Sequence, residues 1–116
     1  LVTDPVFSPD GSRLACLGKE DEKWTVVVDD QPWDVDFDMI WRPVFSPDGN
    51  TVAVKAEKKG KFVLVVNGLI LNQVNDCMWE PVFSPDGEKI LLRAIQGEPG
   101  TGKYYRQVIP LTEITG

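Results

Sequence analysis

An all-β fold built from three copies of one four-stranded antiparallel unit is predicted by three observations. The heptad Pro-Val-Phe-Ser-Pro-Asp-Gly begins at residues 5, 43 and 81 of this 116-residue chain, a period of 38. The runs between heptads are short, rich in β-branched and aromatic residues, and bounded by turn residues. No stretch sustains a 3.6-residue apolar period. A period in this range is that of stacked units, none of which buries its apolar face alone.

Each unit reads as strands A to D. Strand A is Pro43-Val44-Phe45-Ser46 and its equivalents, and Ser46-Pro47-Asp48-Gly49 closes it in a tight turn. Proline presets φ, aspartate bonds nearby amides and glycine takes positive φ, the chemistry of a type I turn with a glycine bulge. Strand B follows as Leu14-Ala15-Cys16-Leu17, Val52-Ala53-Val54-Lys55 and Ile90-Leu91-Leu92-Arg93, apolar at its first and third positions. Strand C opens on Trp24, Phe62 and, after a four-residue insertion, Tyr104. Its β-branched and aromatic runs suit strands covered on both faces. Turns are expected at Asp29-Asp30 and Asn67-Gly68. Strand D is expected through Val35–Trp41 and Gln73–Trp79, ending on tryptophan both times.

Composition narrows the function classes. A net charge of −6 and a pI near 4.5 disfavour nucleic acid, whose phosphates such a surface repels. The chain contains no histidine, which removes the commonest metal ligand and general base. No apolar run approaches the roughly 20 residues that span a bilayer, so no direct membrane insertion is expected. The N-terminus carries no basic, apolar, small-residue series of a secretory signal, and the compartment stays open between periplasm and cytoplasm. Cys16 aligns with Val54 and Leu92, and Cys77 with Met39, so each cysteine reads as a small buried apolar residue.

The Phe-Ser-Pro-Asp-Gly turn followed by an apolar strand, at Phe7–Gly11, Phe45–Gly49 and Phe83–Gly87, resembles the WD40-like (PD40, TolB-type) β-propeller repeat. Related repeats occur in propeller domains of prolyl-oligopeptidase-like proteins. The family usually has tryptophan where this chain has Phe7, Phe45 and Phe83. The Val-Val, Asp/Asn-Gly and Trp-x-Pro-Val-Phe-Ser-Pro-Asp-Gly run is also similar to propeller subunits beside bacterial transmembrane electron-transfer complexes. The resemblance implies one domain, 1–116, of three four-stranded blades at about 4–41, 42–79, and 80–116 plus 1–3. The repeat type is specific for fold and a poor guide to activity, since one fold serves many functions; a non-catalytic protein-binding module is expected because the groups that catalysis needs are missing.

Propellers close with four to eight blades, so three leave an open arc. A four-stranded face covers about 300 Å², and burying it is worth at most about 8 kcal/mol, near the whole stability of a small domain. Leu1-Val2-Thr3 aligns with Met39-Ile40-Trp41, and Thr115-Gly116 with Gln73-Val74. Strand D of one blade is thus expected to be split between the termini. The leading expectation is a head-to-tail homo-oligomer joined through blade faces and the shared strand D, six blades from two copies or nine from three. The alternatives are a part excised from a longer propeller, and an accessory or gating propeller of a larger enzyme or membrane-associated redox complex.

Four segments resemble chemistry. Gly97–Lys103 matches the phosphate-loop pattern, but Tyr104 replaces the Mg²⁺-binding hydroxyl and a strand follows, so the segment reads as a long hairpin tip. Asp34, Asp36 and Asp38 share a strand face, yet the glycine turn and distal glutamate of a Ca²⁺ loop are missing. Trp41 and Trp79 recur at one repeat position and read as inter-blade packing. Trp33 has no aromatic counterpart and is the first candidate partner contact, followed by Tyr104 and Tyr105. No Gly-x-Ser-x-Gly elbow or histidine-paired nucleophile exists, so no catalytic residue, metal or cofactor is expected.

Overall fold

The structure is a computed structural model that describes residues 3, 5–98 and 100–114. Its Ser-Pro-Asp-Gly turns are held by their own side chains. Ser46 Oγ donates to Asp48 Oδ1 (2.6 Å), the Asn50 amide donates to the same oxygen (2.9 Å), and the Thr51 amide donates to Ser46 Oγ (3.0 Å). The pattern repeats at Ser8/Asp10 and Ser84/Asp86. Gly11, Gly49 and Gly87 sit at φ of +77°, +77° and +74°, where a Cβ would strain the turn.

All the sheets are antiparallel. The first contains β1 (Val6–Phe7), β2 (Leu14–Glu20), β3 (Lys23–Val28) and β4 (Gln31–Pro32), in that order. The second contains β5 (Met39–Ile40) and β6 (Val44–Phe45), both paired with β7 (Val52–Lys58), then β8 (Lys61–Val66) and β9 (Leu69–Ile70). The third contains β10 (Cys77–Met78) and β11 (Val82–Phe83), both paired with β12 (Lys89–Gln96), and then β13 (Lys103–Pro110). A single 3-10 turn, Leu111–Glu113, is the only helical element among the described residues. The chain is all-β, as its periodicity requires.

Strand alternation sorts the side chains into layers. Ala15, Leu17, Val26 and Val28 of the first sheet pack on Val52, Val54, Ala56, Val63 and Val65 of the second. The opposite side of the second sheet, through Ala53, Leu64 and Val66, packs on Ile90, Leu92, Ala94 and Ile109 of the third. Only the second sheet is covered on both sides, and β8 is accordingly buried from Val63 to Val66.

The expected strand D is corrected. Val35–Trp41 is divided between two sheets. Phe37 still bridges Trp24 of the first sheet, whereas the Asp38 amide already donates to Glu57 O, and Met39 and Ile40 pair with Glu57 and Ala56. Trp41 donates its amide to Lys55 O and therefore extends the next sheet's first strand. The same handover occurs at Asn75–Cys77. Asp38 and Asp76 are placed at the crossing. Asp38 accepts from Lys23 Nζ on one sheet and the Lys59 amide on the next, and Asp76 from Lys61 Nζ and the Gly97 amide. These two links hold successive sheets at a fixed offset.

The strand split between the termini falls mostly on Leu1, Val2, Thr115 and Gly116, which lie outside the described residues. Thr3 is described, and it bonds to Leu17 of its own first sheet through both its amide and its hydroxyl. The cysteines are also corrected: Cys16 is half-buried and Cys77 exposed. The place Cys77 shares with Met39 is apolar but uncovered, since Met39 is exposed too.

Two outcomes test this frame. Leu64→Ala, which empties a site at the centre of the second layer, is expected to lower unfolding stability by about 2–5 kcal/mol in urea denaturation. Asp10 is held down to about 2 by the Ser12 hydroxyl first, then the Ser12 amide and the Ser8 hydroxyl. Hydroxyl donation from Ser46 and Ser84 also lowers Asp48 and Asp86. Because the folded value is depressed, the turn's contribution is complete above 3.8 and lost as pH falls through about 2. Carboxyl-detected NMR titration should give Asp10 a midpoint near 2; a midpoint at 3.8 would mean an unformed turn.

Candidate functional site

The stack leaves two sheet faces uncovered, and the unusual side chains of the chain collect on them. On the first sheet the face opposite the core carries Leu14, Cys16 and Gly18 from β2 and Thr25 and Val27 from β3, with Phe7 beside Leu14 and 63% exposed. Gly18 and Thr25 stand opposite one another and leave a hollow. Thr25 Oγ1 donates to Val35 O (2.6 Å) and Trp33 O (3.3 Å), which folds the 33–36 segment along the sheet edge. The result is a groove of about 600 Å³ with Gly18, Thr25, Val27, Trp33 and Val35 in its wall. Glu20, Asp21, Asp34 and Asp36 also line it. Its two lysines are engaged, Lys19 with Glu22 and Lys23 with Asp38, so the groove presents net negative charge.

The opposite end of the stack is apolar and cationic. On the third sheet's outer face Val82 pairs with Leu91, Cys77 with Ile95, and Arg93 directly with Arg106. Trp79 and Tyr104 meet edge to face at 5.8 Å, and Val82, Trp79, Tyr104 and Val108 are 46%, 40%, 57% and 55% exposed. Like charges directly across a strand pair repel. Arg93 Nε is buried and has no hydrogen-bond partner among the described residues. A buried, unpartnered donor in a native structure needs an explanation. At the equivalent place in the second sheet, Lys55 Nζ lies 4.4 Å from the Trp41 ring centroid and 5.3 Å from that of Phe62.

The three aromatic residues singled out in the sequence do not meet. Trp33 lines the groove but is half-buried, and it leans on the neighbouring sheet: a Cβ on Gly68 would lie 3.3 Å from Trp33 Cγ. Its indole therefore requires the glycine as much as the Asn67-Gly68 turn does. Tyr104 stands on the open third face. Tyr105 points the other way, into the second layer, and donates its hydroxyl to Asn75 Oδ1. Burial pushes the Tyr105 hydroxyl pKa up, opposed by that hydrogen bond. Asn75 is itself buried and also receives Gln96 Nε2 at 3.4 Å. Tyr105 is thus a packing residue rather than a surface contact.

Of the acidic trio, Asp38 turns to its inter-sheet link while Asp34 and Asp36 face the groove. Among the described residues no group of three or more His, Cys, Asp or Glu is arranged to hold a metal. The Gly97–Lys103 segment is a hairpin tip whose Gly102 amide donates to Glu98 O (2.7 Å), and strand β13 starts at once. Arg93 and Arg106 went unmarked in the sequence. The signal was present, since their repeat places hold Leu17 and Val26 in the first unit and Lys55 and Leu64 in the second.

No family model matches the chain, and no curated protein matches it. Among solved structures it is similar to a Bacteroides uniformis protein provisionally assigned as a 6-phosphogluconolactonase, with 17% identity and a TM-score of 0.43. That alignment covers 94% of this chain and 41% of the other, so the chain spans about two fifths of that protein's length.

Tyr105→Phe tests the inward hydrogen bond. It removes one partner of a buried amide and should cost about 1–2 kcal/mol in chemical denaturation, with the strand content retained. An unchanged unfolding midpoint would show that Asn75 does not depend on the hydroxyl.

Proposed function

We propose that the chain forms three blades of a β-propeller and works as a non-catalytic protein-binding module, completing its ring with copies of itself. One observation carries this reading. Each open face bears the repeat positions that pack in the covered layers. Leu14, Cys16 and Gly18 occupy the places of Val52, Val54 and Ala56, and Leu91 and Arg93 those of Ala53 and Lys55. A face of one kind is therefore built to receive a face of the other.

The areas favour a closed ring over an open chain of subunits. One face-to-face contact removes about 300 Å² from each partner, on the order of 600 Å² in all, which is the scale of a weak encounter. A ring closed by two such contacts buries on the order of 1,200 Å², the lower bound for a stable association. Contact between unlike faces is heterologous, so it closes only when the rotation per subunit completes a turn. Two copies give six blades and three give nine.

The shared strand D remains part of this reading: Thr3 bonds Leu17 as Trp41 bonds Lys55, so the head of the chain takes the place that the end of strand D takes in the second sheet. Sedimentation velocity over a hundredfold concentration range, about 1–100 μM for contacts of this size, should show a dimer or trimer giving way to monomer on dilution. A folded monomer throughout would overturn the self-assembly.

A further inference from the structure

Resting on that self-assembly, we infer that Arg93 and Arg106 of one copy seat in the acidic groove at Gly18 and Thr25 of the next. The two covered layers supply the geometry. In the first, the cross-strand pair Leu17/Val26 shares one core cluster with Val54, Ala56 and Val63 of the next sheet. In the second, Leu64 of the pair Lys55/Leu64 shares one with Leu92 and Ala94, with Tyr105 packed against it. Repeating that succession of faces places Arg93/Arg106 on the side that meets the face of Cys16, Gly18 and Thr25 of a second copy.

Size and charge both change in the matching sense. The projecting pair grows from Leu17/Val26 to Arg93/Arg106, while the receiving positions shrink from Ala56/Val63 to Gly18/Thr25. The groove of about 600 Å³ lies over those smaller residues, with Trp33 and Val35 at its edge. Acids line that groove and not its counterparts, since Glu20, Asp34 and Asp36 are replaced in the second unit by Lys58, Asn72 and Val74. On the other open face both members of the pair are cations, whereas the second unit has one, Lys55, set over the Trp41 ring. Two guanidinium groups that repel within one chain thus meet carboxylates on the next. The contact is directional: a third sheet meets a first sheet and never its own kind.

Charge exchange tests the seat separately from the self-assembly, and the residues changed are exposed. Arg106→Glu alone, and Asp34→Lys with Asp36→Lys in a second variant, should each weaken association roughly tenfold or more while circular dichroism stays unchanged. Mixed in equal amounts, the two variants should associate again as a one-to-one pair, because the reversed third face of one meets the reversed groove of the other and the remaining faces keep their wild-type charges. Raising salt should weaken the wild-type ring. Wild-type association that neither variant disturbs, or a mixture that stays monomeric, would overturn the seat while leaving the self-assembly intact. A wild-type chain that never associates overturns both.

Discussion

A β-strand in which side chains on both faces are apolar must be covered twice, and the whole arrangement follows from that requirement. β8 meets it: Val63 and Val65 turn to the first sheet, Leu64 and Val66 to the third, and all four are buried. The outer sheets share the second sheet's repeat ancestry and thus its two-sided design, but each has one neighbour. Their free faces keep the apolar spacing without the cover.

The second organising element is the crossing between sheets. Asp38 and Asp76 each take a lysine from the sheet being left and an amide from the sheet being entered, so the offset between sheets is set by paired polar contacts as well as by packing. The paired lysines also hold these carboxyls below their usual range. Such exposed pairs add little stability individually. Their value is geometric, because they fix the step from one sheet to the next. Arg13 contributes in the same way, bonding Asp29 within its sheet and Gly49 O on the next.

The candidate surfaces differ from the core in kind. Covered layers tolerate any well-packed apolar set, so Leu17 and Val26 say little about a partner. Arg93 and Arg106 say more, because a cation pair on a sheet face is costly without counter-charge. Its complement, Glu20 with Asp34 and Asp36, stands at the far end of the same molecule. Neither half would be informative alone; together they set a cation pair on one free face against an acidic groove on the other.

Repetition made the architecture legible from the chain by itself. The three identical heptads, their constant spacing and the period-two runs between them determined an all-β stack, its turns, and the alternation of buried residues, because each of these depends on neighbours in sequence. What tertiary structure alone decided was ownership. Residues 31 to 41 hold no unbroken strand signal, and whether Phe37, Met39 and Trp41 join the sheet behind or the sheet ahead is settled by hydrogen bonds to partners up to about twenty residues distant. The same holds for side-chain direction. Tyr104 and Tyr105 are adjacent and chemically identical, and the pleat sends one to the open face and the other to Asn75. Facing is a property of paired strands, and it exists only once the sheet is built.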